Sequence, residues 1–356
     1  MALRERGTPM PVKYWSRAGL MLTDWCNAAC ACCYANCSPA NQQWMTAEQA
    51  ITIWQSLVSA SPHGCRLHLT GGEVFGRFEL LLEVCRRAQQ LGLGPLEAVE
   101  TNGFWAQTEA VVRERLTALL QAGMESLTIS ADPYHQQFVP LERPRLLARI
   151  AEELLGAERV KVRWADWLAN GCDTSLLDEV RRRQFFWEYA AAGRDRLTGR
   201  AGSGLNGLIS LKLTENLVDI SCRERLLRGR HVHIAPSGEV WPATCIGIVV
   251  GNALVQPIAE IWGNLEAEWA EMPIIGSLCL HGLGELLASA GQCGFLPCPS
   301  GYGTHCQLCY ALREHMHRLG KAGPWLGPAS VYAAGDATDA DPGRKDVSGT
   351  MSSGMA

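Results

Sequence analysis

Apolar and polar positions along roughly residues 18–215 come in short blocks that switch between a period of two and a period near 3.6. Gly19-Leu20-Met21-Leu22-Thr23 is an apolar run that reads as a first strand, ending in Asp24-Trp25. Met45-Thr46-Ala47-Glu48 opens an amphipathic helix to about Ser59, with Thr46 placed as its N-cap. The rhythm continues with a strand over Arg66 to Thr70, a helix to about Leu91 and a strand from Leu96 to Glu100. A helix from Thr108 to Ala122 and a strand from Ser126 to Ser130 follow. Helix 144–155, strand 159–164, helix 174–190 and a sixth strand over Leu208 to Leu213 complete the series. Alternating units of this length predict an α/β fold with a parallel sheet and right-handed crossovers. Six such units make a partial (β/α)6 barrel of the TIM type rather than a closed eight-stranded one.

After about Ile220 the pattern changes. His231 to Ile234 and Glu239 to Pro242 alternate around Pro236-Ser237-Gly238 and predict a β-hairpin. Cys306-Gln307-Leu308-Cys309 opens an amphipathic helix from Tyr310 to about Leu319. From about Lys321 the chain is rich in Gly, Ala, Ser and Asp without apolar period, which predicts a disordered tail over 321–356.

Composition narrows the class. Hydrophobic residues make up 47% of the 356, ample for a core in a chain of 38.9 kDa. The net charge of −4 gives no electrostatic reason to expect a nucleic-acid partner. No apolar run has the length of a membrane span, and Met1 to Pro11 has no apolar export core. A cytoplasmic protein with no membrane partner follows as the expectation. In that compartment the 15 cysteines stay reduced, so metal binding outranks disulfides.

Three of those cysteines carry the strongest chemical signal. Cys26, Cys30 and Cys33 form a C-x3-C-x2-C array just beyond the first strand. At this cysteine frequency a fixed three-cysteine pattern arises by accident about 0.03 times over the whole chain. Three thiolates in one tight loop hold three corners of an iron–sulfur cube and leave the fourth iron for a non-protein ligand. The polar ends of the later strands, Glu73, Asn102 and Asp132, would face the same mouth, because barrel sites are built on the C-terminal rim.

The array resembles the signature of the radical S-adenosylmethionine (SAM) superfamily. Gly71-Gly72-Glu73 matches the motif that ends the family's second strand and holds the SAM amino group, a task suited to an ionised carboxylate. Ser130 and Asp132 match the family's fourth-strand positions that contact the ribose or methionine part, and Asn102 sits at a similar rim position. The family's aromatic residue before the third cysteine is replaced by Cys32, with Tyr34 beyond Cys33 available to supply that surface. Taken alone, Asn102-Gly103 also reads as a turn, Ser130 and Asp132 as caps, and His135 either as an acid–base group or as a loop histidine.

The cysteine-rich C-terminal part resembles the Twitch module, a shortened SPASM domain that holds an auxiliary [4Fe-4S] cluster. The resemblance implies Cys222, Cys245, Cys306 and Cys309 as ligands. Cys298 is an alternative to Cys222, or a partner of Cys279 and Cys293 around a second auxiliary cluster. A zinc knuckle and scattered structural thiols are the competing readings. Cys65, Cys85 and Cys172 read as buried thiols, and Cys32 and Cys37 as spectators. The implied division is a lead-in over 1–17, a barrel over 18–215, the auxiliary module over 216–320 and the tail.

The resemblance implies an oxidoreductase or maturase that reductively cleaves SAM to a 5′-deoxyadenosyl radical, which abstracts a substrate hydrogen atom. An electron donor such as flavodoxin or ferredoxin would supply the reductant. The substrate reading is peptide maturation in natural-product biosynthesis, with dehydrogenation or carbon-skeleton modification of a small molecule as the alternative. About 18 residues precede the first strand, so peptide recognition would fall to a separate protein or to the barrel mouth. A non-catalytic iron–sulfur electron carrier is the remaining class.

Overall fold

The structure is a computed structural model and describes residues 12–163, 165–169, 173–192, 196–205 and 208–333. Its frame is one seven-stranded sheet. The strands are β1 (Arg17–Met21), β2 (Arg66–Thr70), β3 (Leu96–Thr101), β4 (Leu127–Ser130), β5 (Val160–Arg163), β6 (His231–Ile234) and β7 (Val240–Pro242). Their spatial order is β5-β4-β3-β2-β1-β6-β7. Every neighbouring pair is parallel except the antiparallel β6–β7 hairpin. This is the predicted α/β architecture, an open and incomplete barrel sheet.

The helices between the first five strands are α1 (Ala47–Ala60), α2 (Phe78–Gln90), α3 (Glu109–Gln121) and α4 (Glu142–Leu155). Thr46 caps α1 with a full capping box, accepting from Gln49 N while the Gln49 side chain returns to Thr46 N. Thr108 likewise caps α3. Ile53, Trp54 and Leu57 of α1 are buried, as are Leu20, Leu67 and Leu69 on the strands. Burial on this scale stabilises by about 1.5–3 kcal/mol per large side chain.

Two expectations change here. Leu208 to Leu213 does not add a strand; Lys212 makes one isolated antiparallel bridge to Tyr302. The sixth parallel strand is β6, and it lies beside β1, not beyond β5. Leu208, Ile209, Leu211 and Leu213 give this segment a strand-like pattern, but it does not join the open outer edge of β5, and β6 takes the sixth parallel place beside β1. The predicted hairpin is therefore continuous with the main sheet.

Short helices α5 (Ala165–Ala169), α6 (Glu179–Ala191), α7 (Arg200–Gly204) and α8 (Arg223–Arg228) lead toward the hairpin. Beyond it lie α9 (Ile258–Glu268), α10 (Pro273–Leu280), α11 (Leu283–Gln292), α12 (His305–Arg318) and α13 (Ala329–Tyr332). The beginning of the predicted disordered tail is ordered: Leu326, Val331 and Tyr332 are buried. Asn36 donates to the carbonyls of Val331 (2.6 Å) and Ala333 (3.1 Å), and Tyr310 donates to Val331 (2.6 Å). The few apolar residues, hidden among glycine and alanine, anchor this stretch. Residues 334–356 and Cys172 lie outside the described residues.

Candidate functional site

The loop leaving β1 carries the cysteine array and is tied down on both sides. Thr23 donates its hydroxyl to the Gln43 carbonyl (2.7 Å), and Cys26 N donates to Ser38 O (3.1 Å). On the far side Arg200 Nε donates to the Cys30 carbonyl (3.2 Å) and its Nη2 to that of Cys37. The exit of β2 is stitched directly to that of β1. Gly72 N donates to Thr23 O (2.9 Å) and Glu73 N to Trp25 O (2.8 Å). A Cβ on Gly72 would lie 1.9 Å from the Trp25 carbonyl oxygen, so the glycine here serves a close backbone crossing.

These contacts gather the predicted residues around one pocket. Cys26, Cys30, Cys33 and Tyr34 line it together with Gly71, Gly72, Asn102, Ser130, Asp132 and His135. Asn102 donates to Asn27 Oδ1 (2.9 Å), and its Nδ2 lies 3.8 Å from Cys26 Sγ. Asp132 accepts from the backbone N of Tyr134 (3.0 Å) and His135 (3.1 Å), with His135 Nδ1 2.6 Å from its other oxygen. Burial opposes charge on both partners, yet the contact holds Asp132 below its ordinary value and His135 above its own. Cys32, predicted as a spectator, reaches into this group with Sγ 3.9 Å from Asp132 Oδ1.

The thiols differ electrostatically. Burial pushes Cys26 up to about 12, with the Glu73 charge adding to it, and pushes Cys30 well above its usual range. Cys33 is lowered to about 5, chiefly because its thiolate accepts from the Cys37 thiol. Cys33 is thus drawn toward the thiolate, whereas burial opposes ionisation of Cys26 and Cys30 unless a cation lies nearby. Cys37 is the hydrogen-bond partner that lowers Cys33, and it is itself raised well above its usual range.

Glu73 stands behind the pocket wall. It is fully buried, and its oxygens accept from Phe75 N (3.1 Å), Thr101 Oγ1 (2.9 Å) and Asn102 N (2.7 Å). It does not line the pocket in this structure but braces the exit of β3, where Asn102 stands. Sequence reading missed Thr70, Glu100, Arg163 and Arg196, which do line it. Thr70 donates to Glu100 (2.8 Å), and the Arg196 guanidinium lies 4.6 Å from the centre of the Tyr34 ring. The rim logic applied to each strand's last residues finds Thr70, Glu100 and Arg163. Arg196 sits in irregular chain with no periodic signal.

A second thiol group forms where α8, the hairpin exit and α12 meet. Cys222 precedes α8, Cys245 follows β7, and Cys306 and Cys309 lie in the first two turns of α12. Burial pushes Cys222 up to about 12, with Cys309 and Cys306 adding to it; burial, Cys309, Cys222 and Cys306 likewise raise Cys245. Arg313 Nε donates to Cys309 Sγ (3.3 Å) and Arg225 Nη1 to Cys306 Sγ (3.4 Å), placing two guanidiniums on four thiols. Cys298 does not join them: it is exposed and bonded to Ser300 (3.0 Å). Cys279 is buried on α10 and Cys293 caps the C-terminus of α11. Cys65 and Cys85 are buried, as predicted.

The spacing of each thiol set bears on what it fits. Tetrahedral zinc at about 2.3 Å from each sulfur brings sulfurs to about 4 Å of one another. Among the described residues, the trios whose ligand atoms all fall within 4.8 Å are His68/His231/His233 and Cys32/Asp132/His135, and neither thiol set is among them. The donor chemistry of a three-thiol and a four-thiol set fits iron–sulfur cubes.

No helix among the described residues is long and apolar enough to cross a membrane. No protein-family model matches the chain, and no curated protein matches it. Among solved structures the chain is similar to BtrN in complex with AdoMet and 2-DOIA, at 17% identity and a TM-score of 0.47, over 77% of this chain and 91% of that one. It is similar to Streptococcus suis SuiB bound to S-adenosylmethionine at 12% identity and a TM-score of 0.42, over 70% of this chain and 65% of that one. A third similarity is to anSMEcpe with bound AdoMet, at 14% identity and a TM-score of 0.41, over 85% of this chain and 93% of that one. All three scores lie below one half, so the function proposed next rests on this chain's own residues.

Proposed function

We propose that the chain is a radical SAM enzyme. One observation carries this reading: the three thiols of the C-x3-C-x2-C loop converge on a single pocket with Asn102, Ser130, Asp132 and Tyr34. Cys26, Cys30 and Cys33 would hold a [4Fe-4S] cluster by three corners, and Gly71, Gly72, Asn102, Ser130, Asp132 and Tyr34 would surround the SAM. The pair, when bound and reduced by a flavodoxin- or ferredoxin-type donor, supplies a 5′-deoxyadenosyl radical that takes a hydrogen atom from the substrate. The chain's own part is orientation and exclusion of water. Asn102 is held at the rim by Glu73 and Asn27, Tyr34 by the Arg196 guanidinium, and Asp132 by His135. Cys222, Cys245, Cys306 and Cys309 would carry an auxiliary [4Fe-4S] cluster, whose negative charge the Arg225 and Arg313 guanidiniums offset.

The substrate is a peptide in the reading developed from the sequence. The pocket gives a second reading specific support. Glu100, Arg163 and Arg196 line it together, an ionic wall suited to a small polar molecule with charged or hydroxyl groups. The test of the enzyme reading is spectroscopic: SAM added to the reduced, fully loaded protein should change the EPR signal of the first cluster. A signal indifferent to SAM would leave the electron-carrier class in its place. For the substrate, deuterium transfer into 5′-deoxyadenosine from labelled peptides or labelled small polyols separates the two readings.

A further inference from the structure

Three histidines converge on the inner face of the sheet, outside the thiol sites. His68 of β2 and His233 of β6 both pair with Gly19 of the intervening β1, so they stand in one row across three strands. His231 precedes His233 by two residues and shares its face. Ring nitrogens of all three lie within 4.8 Å of one another. The rings also touch, with centroids 5.3 Å apart for His68 and His231 and 4.4 Å for His231 and His233.

The surroundings are built for this convergence. A Cβ at Gly19 would come within 2.5 Å of His233 Cδ2 and 2.7 Å of His68 Nε2, so only glycine leaves room for the rings. His233 is buried and donates Nδ1–H to the Ala243 carbonyl (3.1 Å), which leaves Nε2 with its lone pair free to coordinate. Metal-bound imidazoles are oriented by this kind of second hydrogen bond. Ala243 itself sits at φ 54, left-handed backbone that a non-glycine residue adopts at a cost. Two cations stand near the rings: Arg17, whose Nε donates to Glu97 Oε2 (3.0 Å), and Arg196, whose guanidinium lies 4.6 Å from the centre of the Tyr34 ring.

We propose that His68, His231 and His233 bind a divalent first-row metal ion, zinc foremost, with one coordination position left open. Three imidazoles and an open fourth position are a donor set that suits zinc. Thr70, two residues beyond His68 on the same face, lines the pocket. The ion would therefore lie one side-chain layer, about 7 Å along the strand, below the pocket floor. From there the open position is available to an oxygen or nitrogen donor of a molecule in the barrel.

Anomalous diffraction at the zinc edge, on crystals of the cluster-loaded full chain grown with zinc, tests the site directly. The predicted peak lies about 2.0–2.1 Å from one nitrogen of each histidine. Zinc confined to the cysteines, or no peak at the histidines, overturns the proposal. Equilibrium dialysis against zinc gives a second readout. The His68→Gln/His231→Gln variant should bind one equivalent at least ~100-fold more weakly than wild type. Cys306→Ser/Cys309→Ser should leave that equivalent in place. Equal zinc binding by wild type and the histidine variant would refute it as well.

Discussion

Replacing Glu73 by glutamine separates a brace from a ligand. Glu73 is fully buried and pushed up to about 7, mainly by burial, with Asn102 N, Thr101 Oγ1 and Phe75 N working the other way. A carboxyl raised from 4.5 to about 7 carries a penalty of about 3 kcal/mol when ionised, since one pKa unit is worth ~1.4 kcal/mol. The stabilising contribution is complete at acid pH and is lost as pH rises through about 7. Glutamine never ionises but offers one acceptor oxygen to three donors, at a constant cost of about 1–3 kcal/mol. The stability advantage of wild type over Glu73→Gln should therefore shrink by about 2 kcal/mol between about pH 5.5 and about pH 8.5. In thermal melts of the cluster-loaded proteins that is about 3 °C. Parallel pH profiles would refute the burial argument. A variant with unchanged stability but at least ~10-fold weaker SAM binding would show that Glu73 turns into the pocket and acts on the ligand.

Three further outcomes follow from contacts already described. Asn102→Ala removes the bond to Asn27 and the Nδ2 approach to Cys26, and should weaken SAM binding about tenfold by isothermal titration while costing about 1 kcal/mol of stability. Arg313→Ala leaves the Cys309 thiolate and the Ile246 carbonyl without their buried partner. It should cost about 3–5 kcal/mol and drop the auxiliary iron, counted by iron and sulfide analysis, while the first cluster stays. Cys298→Ser should leave iron content and melting temperature unchanged, because Cys298 is exposed and stands apart from the four auxiliary thiols.

The residues explain what could be read in advance. Arg66 to Thr70 alternates cleanly and is bounded by Gly64-Cys65 and Gly71-Gly72, and its strand runs over those same residues. Thr46 and Thr108 announce their helices because a hydroxyl just ahead of an apolar period has one strong use there. The same local signal fails at 208–213: the outer edge of β5 is open, yet this segment does not pair there, and β6 joins the sheet beside β1 instead. Glu73 shows a different limit. Its position at the rim was legible, but the short 3₁₀ turn over Val74–Arg77 draws its carboxylate inward, and no pattern in Gly71-Gly72-Glu73 reveals that. Cys222, Cys245, Cys306 and Cys309 were named together only through the resemblance to the Twitch module; the two arginines beside them were not foreseen, since Arg225 and Arg313 come from separate helices. The three-histidine row depended on β6 lying beside β1, a pairing absent from the six-strand order read in sequence.

The central claim is that Cys26, Cys30 and Cys33 hold a cluster that cleaves SAM. The direct measurement is 5′-deoxyadenosine, quantified after anaerobic loading with iron and sulfide and reduction by dithionite in the presence of SAM. Wild type should form it, and the Cys26→Ala/Cys30→Ala/Cys33→Ala variant should not. Equal product from both proteins, or none from wild type carrying its full iron, would contradict the account.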